Sequence, residues 1–139
     1  MVDFWMNTPI GEGDTVYSWT NTLGDLNLVQ VISPGGNPAL RFWTNQLFFD
    51  TPTINGLLNN WVFIRAVGNG TTYRRIYYGR NLNNMGMTGD TGVDGSVGTL
   101  TSSSQFYVGR YGAPTIPFIG RLWNLRFINN IDGETNFTY

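Results

Sequence analysis

The sequence contains no cysteine, no histidine and no lysine. Without cysteine there is neither a disulfide framework nor a thiolate metal site. Without histidine the commonest general base and the commonest metal ligand are missing, and Ser-His-Asp or Cys-His catalysis is excluded. All 8 basic residues are arginines, and they are dispersed in a chain of net charge −1. That is not the clustered basic surface a nucleic-acid partner requires. Glutamate is almost absent, with Glu12 and Glu134 at opposite ends of the sequence. No apolar run approaches the roughly 18 residues of a membrane-spanning helix. The segment MVDFWMNTPIGEGD has no basic and apolar tract of the secretory kind, so the expectation is a soluble protein made in the cytoplasm without a signal peptide. No window shows sustained helical spacing with caps, so little or no helix is expected.

What is present is aromatic and strand-forming. Aromatic residues make up 15% of the 139 positions against 12% charged, with 18 glycines. The clearest local signal lies in WVFIRAVGNGTTYRRIYYGR, from Trp61 to Arg80. Two apolar-aromatic runs flank Gly68-Asn69-Gly70, the strongest short-range hairpin signature because both central turn residues must tolerate positive φ. Further strands are expected at Val2–Asn7, Thr15–Thr20, Leu26–Ser33, Ala39–Trp43, Gln46–Phe49, Gln105–Gly112 and Phe118–Asn130. Within the hairpin, Val62, Ile64 and Ala66 are expected in the core. Trp61, Phe63 and Arg65 then form an aromatic-plus-arginine face for another segment or a partner to cover. In the last strand Trp123, Leu125 and Phe127 are expected on one face, with Asn124 and Arg126 on the other. Leu57-Leu58 reads as a short apolar plug, and the aromatic end of IDGETNFTY as a segment that docks. Residues 81–104 are polar, glycine-rich and without periodicity, so they read as a long loop, with one short strand possible near Val97–Leu100. Short strands at intervals of about ten residues argue for one all-β domain over 1–139, a two-layer antiparallel β-sandwich.

The order of motifs resembles the laminin-G-like domains of the concanavalin A-like jelly-roll class, including those of phage structural proteins. It runs Phe4-Trp5, Trp61-Val62-Phe63-Ile64, Ile76-Tyr77-Tyr78-Gly79, Tyr107-Val108-Gly109, then Phe118-x-Gly120-x-Leu122 through Phe127, with Asn136-Phe137-Thr138 last. Two positions depart from the pattern: Tyr78 stands for an aspartate, and Trp123-Asn124 for an acidic pair. The family also has one or two strands before the Phe-Trp strand. The edge their absence would leave must be covered, by the C-terminus or by a neighbouring subunit. The resemblance implies a non-enzymatic structural or adhesive sandwich of an extracellular assembly. A virion surface protein is the form expected: a capsid decoration or cement protein, or a tail or fibre subunit. Its expected partners are other virion or assembly proteins, in a homo-oligomer or lattice contact. Phage proteins leave the cell by lysis, which reconciles adhesive surface chemistry with the absence of an export signal.

The alternative is a carbohydrate-binding lectin module, its glycan on the concave sheet or at loop 84–104. Jelly-roll glycosidases place paired carboxylates close together on one strand. The seven aspartates and two glutamates form no such set, and no enzymatic activity is expected. Trp19, Trp43, Tyr73, Arg75, Tyr77 and Tyr111 are the ligand or interface candidates, since aromatic faces rimmed by arginine suit sugars and subunit contacts alike. Each has a plainer reading as core packing. Asp90 and Asp94 in GDTGVDGSVG are candidate Ca2+ ligands, although aspartate in a glycine-rich turn commonly just forms the turn. No other cofactor is expected. Arg74, Arg75 and Arg80 form the one basic cluster and read as a solvated edge or an inter-subunit contact. The glycosylation-like triplets at Asn69 and Asn136 read as turn and tail chemistry.

Overall fold

The computed structural model describes residues 1–9, 14–20, 26–44, 47–69, 73–91, 105–109, 118–128 and 135–137. Ten strands form within them: β1 (Val2–Asn7), β2 (Asp14–Thr20), β3 (Leu26–Ile32), β4 (Ala39–Thr44), β5 (Leu47–Asp50), β6 (Val62–Asn69), β7 (Tyr73–Gly79), β8 (Gly86–Thr91), β9 (Gln105–Val108) and β10 (Arg121–Phe127). Among the described residues one 3-10 turn, Pro34–Gly36, is the only helical element. It occupies the Pro-Gly-Gly-Asn-Pro breaker, where Gly35 and Gly36 both take positive φ. Every named strand pair is antiparallel. The first sheet runs β10-β1-β6-β7-β8 and the second β5-β4-β3-β2-β9. The architecture is the two-layer antiparallel sandwich expected.

Period-two patterning sets the core between the layers. Val2, Phe4 and Met6 of β1, and Val62, Ile64 and Ala66 of β6, meet Val29 and Val31 of β3 and Leu40 and Phe42 of β4. The aliphatic set of the hairpin therefore faces inward, as expected. Leu57 is buried in this core and Leu58 packs against it, so the apolar plug forms. The hairpin closes with Asn69 opposite Tyr73, and its connection at 70–72 lies outside the described residues.

Three sequence expectations need correction. First, part of the 81–104 segment is strand: β8 pairs along β7 from Gly86 opposite Tyr78 to Thr91 opposite Tyr73. Its glycines allow close approach instead of breaking the strand. A Cβ at Gly86 would lie 2.7 Å from the Tyr78 ring, and one at Gly89 would run into the Arg74 carbonyl. The Val97–Leu100 strand lies outside the described residues. Second, β10 does not keep one alternation. Asp3 pairs with Arg126 but Trp5 pairs with Trp123, so Asn124 and Leu125 of β10 stand against the single residue Phe4 of β1. Asn124, at φ 54°, sits in this β-bulge. Leu122 and Leu125 pack on the core while Trp123 turns outward beside Trp5. Third, Arg74 is not on a solvated edge. It lies on the inner face of β7, 2% exposed, with its guanidinium over the Phe49 ring of the opposite sheet.

β1 is not an edge, because β10 covers it on one side and β6 on the other. The two ends of this strand pair are tied by Met1 N donating to the Ile128 carbonyl and Ile128 N to the Met1 carbonyl. Burial lowers the pKa of that terminal amine. β10 thus covers the flank of β1 that the sequence analysis expected to need cover.

Candidate functional site

The outer face of the first sheet carries an extended aromatic surface. A row of rings runs across its strands: Trp123, Trp5, Phe63, Phe137 and Tyr77. Successive centroids are 6.5, 5.6, 5.9 and 5.4 Å apart. Phe137 docks on this face as expected of the closing segment, under the guanidinium of Arg65. Arg65 is itself buried. Its Nε and Nη2 donate to Asp3 Oδ1 and Oδ2 at 2.8 and 2.7 Å, and Nη1 donates to the Asn136 carbonyl at 2.9 Å. Arg126 adds a longer contact to Asp3 at 3.3 Å. One fully buried carboxylate is therefore held by two guanidinium groups.

At the end of this row the sheet opens into a cleft of about 530 Å3, lined by Trp5, Asn7, Asn59, Asn60, Trp61 and Arg80. The sequence places these residues by simple rules. Trp5 and Asn7, two apart on β1, share its outer face. Thr8 forms a parallel bridge with Leu58, and Asn59 N donates to the Thr8 carbonyl at 2.8 Å, which draws the 59–61 segment to the end of β1. Asn59 takes φ 60°, a conformation its short polar side chain tolerates. Arg80 follows β7 and lies against Gly56, 3.6 Å from where a Cβ would stand. The register sets Arg121 directly opposite Asn7. Aromatic walls, amides and the Arg80 guanidinium converge there, and among the described residues no carboxylate lines the cleft.

The described sequence-predicted ligand or interface residues are divided between the two sheets, Tyr73, Arg75 and Tyr77 on β7 and Trp19 and Trp43 on β2 and β4. Arg75 and Tyr77 lie on β7 in the first sheet, Tyr77 buried against Phe137 and Arg75 half-buried beside Gly89. Trp43 is on the outer face of the second sheet, on the other side of the sandwich. Its indole N–H donates to Gln30 Oε1 at 3.0 Å, and its ring packs on Phe48 at 4.7 Å. Arg41 covers Phe48 while holding Asp50 through two hydrogen bonds of 2.7 and 2.8 Å, and that pairing raises its pKa. Trp43 is thus part of an internally satisfied cluster. The backbone of Trp19 pairs with Asn27 and Phe106, and that of Tyr73 begins β7. Tyr111 lies outside the described residues, as does Asp94. Asp90 stands in β8, in register opposite Arg74, so its nearest cross-strand neighbour is a cation. Among the described residues no three acidic side chains gather as a metal-binding group.

Sequence reasoning overlooked the cleft because its residues come from three separate segments. The available signal was Asn59-Asn60-Trp61, two amides and an indole at a loop-to-strand junction. Compared with protein-family models and with curated proteins, the sequence matches none of them.

Proposed function

We propose that this protein is a non-enzymatic contact domain, a structural or adhesive β-sandwich that docks edge to edge with copies of itself in an extracellular assembly. The observation that carries this reading is the flank formed by β9 and β10. Each is the last strand of its sheet, with one described neighbour apiece, β2 and β1. Phe106 and Phe127 bring the two edges together at 4.6 Å, edge to face. Val108 on β9 is 49% exposed, Ile119, beside Thr8 at the other end of β10, is 48% exposed, and both phenylalanines are also exposed. An apolar strip along the last described strand of each sheet is a surface that a neighbouring chain can cover or extend. The sequence resemblance supports a phage particle as the setting, with this chain as a decoration, cement, tail or fibre subunit on its external surface.

Light scattering after size-exclusion chromatography tests the reading. The wild-type chain is expected to run as a multimer. The variant carrying Val108→Lys and Ile119→Lys is expected to run as a folded monomer, because two exposed side chains are changed without touching the core. A wild type that remains monomeric at high concentration overturns the proposal.

A further inference from the structure

We propose that the cleft between Trp5, Trp61 and Arg80 is a binding site for an acidic oligosaccharide, one bearing a carboxylate on a sugar ring. It does not rest on the β9–β10 flank and stands or falls separately. Three observations carry it. Indole surface is offered to solvent at the rim: Trp61 is exposed and Trp123 is 60% exposed, beside the half-buried Trp5. The negative face of an aromatic ring suits the C–H-lined face of a pyranose. The amides of Asn7 and Asn59 have no side-chain hydrogen bond among the described residues, and Asn60 spends one N–H on the Leu58 carbonyl, 2.9 Å away. An amide that both donates and accepts matches a hydroxyl, which does the same.

The third observation sets the charge of the ligand. Arg80 and Arg121 make no ion pair or hydrogen bond among the described residues, and both are exposed. Elsewhere on the outer faces the carboxylates of Asp3 and Asp50 are already held by arginine. The cleft therefore has one available guanidinium in its lining, Arg80, with Arg121 in register opposite Asn7, and no carboxylate among its described residues. A planar guanidinium binds a carboxylate through two parallel N–H···O bonds, and the charge that strengthens them is one a neutral sugar lacks. A volume of about 530 Å3 lies within the range of small-ligand clefts and admits two or three sugar rings.

Tryptophan fluorescence titration with tri-galacturonate tests the site, with the carboxyl-reduced neutral trisaccharide as comparison. Tri-galacturonate is expected to change the emission saturably, and the neutral form to bind about tenfold more weakly or worse. Arg80→Gln is expected to remove that preference, bringing the two sugars to similar affinity. Trp61→Ala is expected to weaken both by about tenfold, while Trp43→Phe, on the opposite sheet, changes neither. Circular dichroism confirms that each variant is folded. Absence of saturable binding to the folded wild type, equal affinity for both sugars, or an Arg80→Gln variant that keeps the acidic preference overturns the proposal.

Discussion

Charged residues in this protein are few, and several are placed where charge is costly. Asp3 is fully buried and compensated by Arg65, with Arg126 behind it. Removing one partner of such a pair strands the other without its counter-charge. Asp3→Ala is therefore expected to lower the free energy of unfolding by about 3–5 kcal/mol, measured by urea denaturation. Arg65→Met in the same chain is expected to recover much of that loss, since an apolar pair replaces an uncompensated cation. A second residue sets the alkaline limit. Tyr17 is fully buried, and burial pushes its pKa well above the ordinary tyrosine value. In the unfolded chain the phenol loses its proton near pH ~10, while in the folded chain it keeps it. The folded state then holds more protons, so stability is intact below about pH 10 and falls as pH rises beyond it. The loss approaches about 1.4 kcal/mol per pH unit from this residue, and Tyr17→Phe is expected to remove that slope from melting curves taken between pH 9 and 11. The sequence placed Arg65 on an aromatic face by alternation alone. It offered no sign of Asp3, because the pair joins positions 62 residues apart.

At the scale of elements, alternation was legible wherever strands were long and uninterrupted. β6 follows its expected faces, with Val62, Ile64 and Ala66 in the core. β8 was missed because glycine carries two meanings in a strand-like segment: a turn, or a backbone packed too close for a side chain. Gly89 is the second kind. Alanine there would drive its Cβ into the backbone carbonyl of Arg74, and backbone cannot swing aside as a side chain would. Gly89→Ala is expected to cost about 1–3 kcal/mol. Hydrogen exchange should locate the damage, with amides of β7 and β8 losing protection while those of β1 keep theirs. The β10 bulge was missed for a related reason. One extra residue reverses the faces beyond it, and Asn124 marks the place only through its tolerance of positive φ. That reversal sends Trp123 outward, beside Trp5 and the cleft.

The whole molecule joins the ends of its chain through the first sheet, where β1 lies between β10 and β6. This arrangement was legible only as a sandwich, not as a strand order, because pairing partners far apart in sequence leave no local trace. The same holds for the cleft, which three segments complete only after the sheet has formed. The docking of Phe137 extends the argument from strands to the closing segment. Its ring packs edge to face on Phe63 and Tyr77, and Arg65 lies over it while holding the Asn136 carbonyl. These contacts make 135–137 part of the cover over a buried ion pair. Phe137→Ala then removes apolar burial and opens the Asp3–Arg65 pair to water. A fully buried phenylalanine costs about 3–5 kcal/mol to truncate, and this half-buried one is expected to cost about 2 kcal/mol. Urea unfolding followed by tyrosine and tryptophan signals together should show one transition shifted to lower denaturant, with both probes moving in step. A change within about 0.5 kcal/mol, the ordinary size for a surface substitution, would mean that the closing segment does not share in the stability of the sandwich.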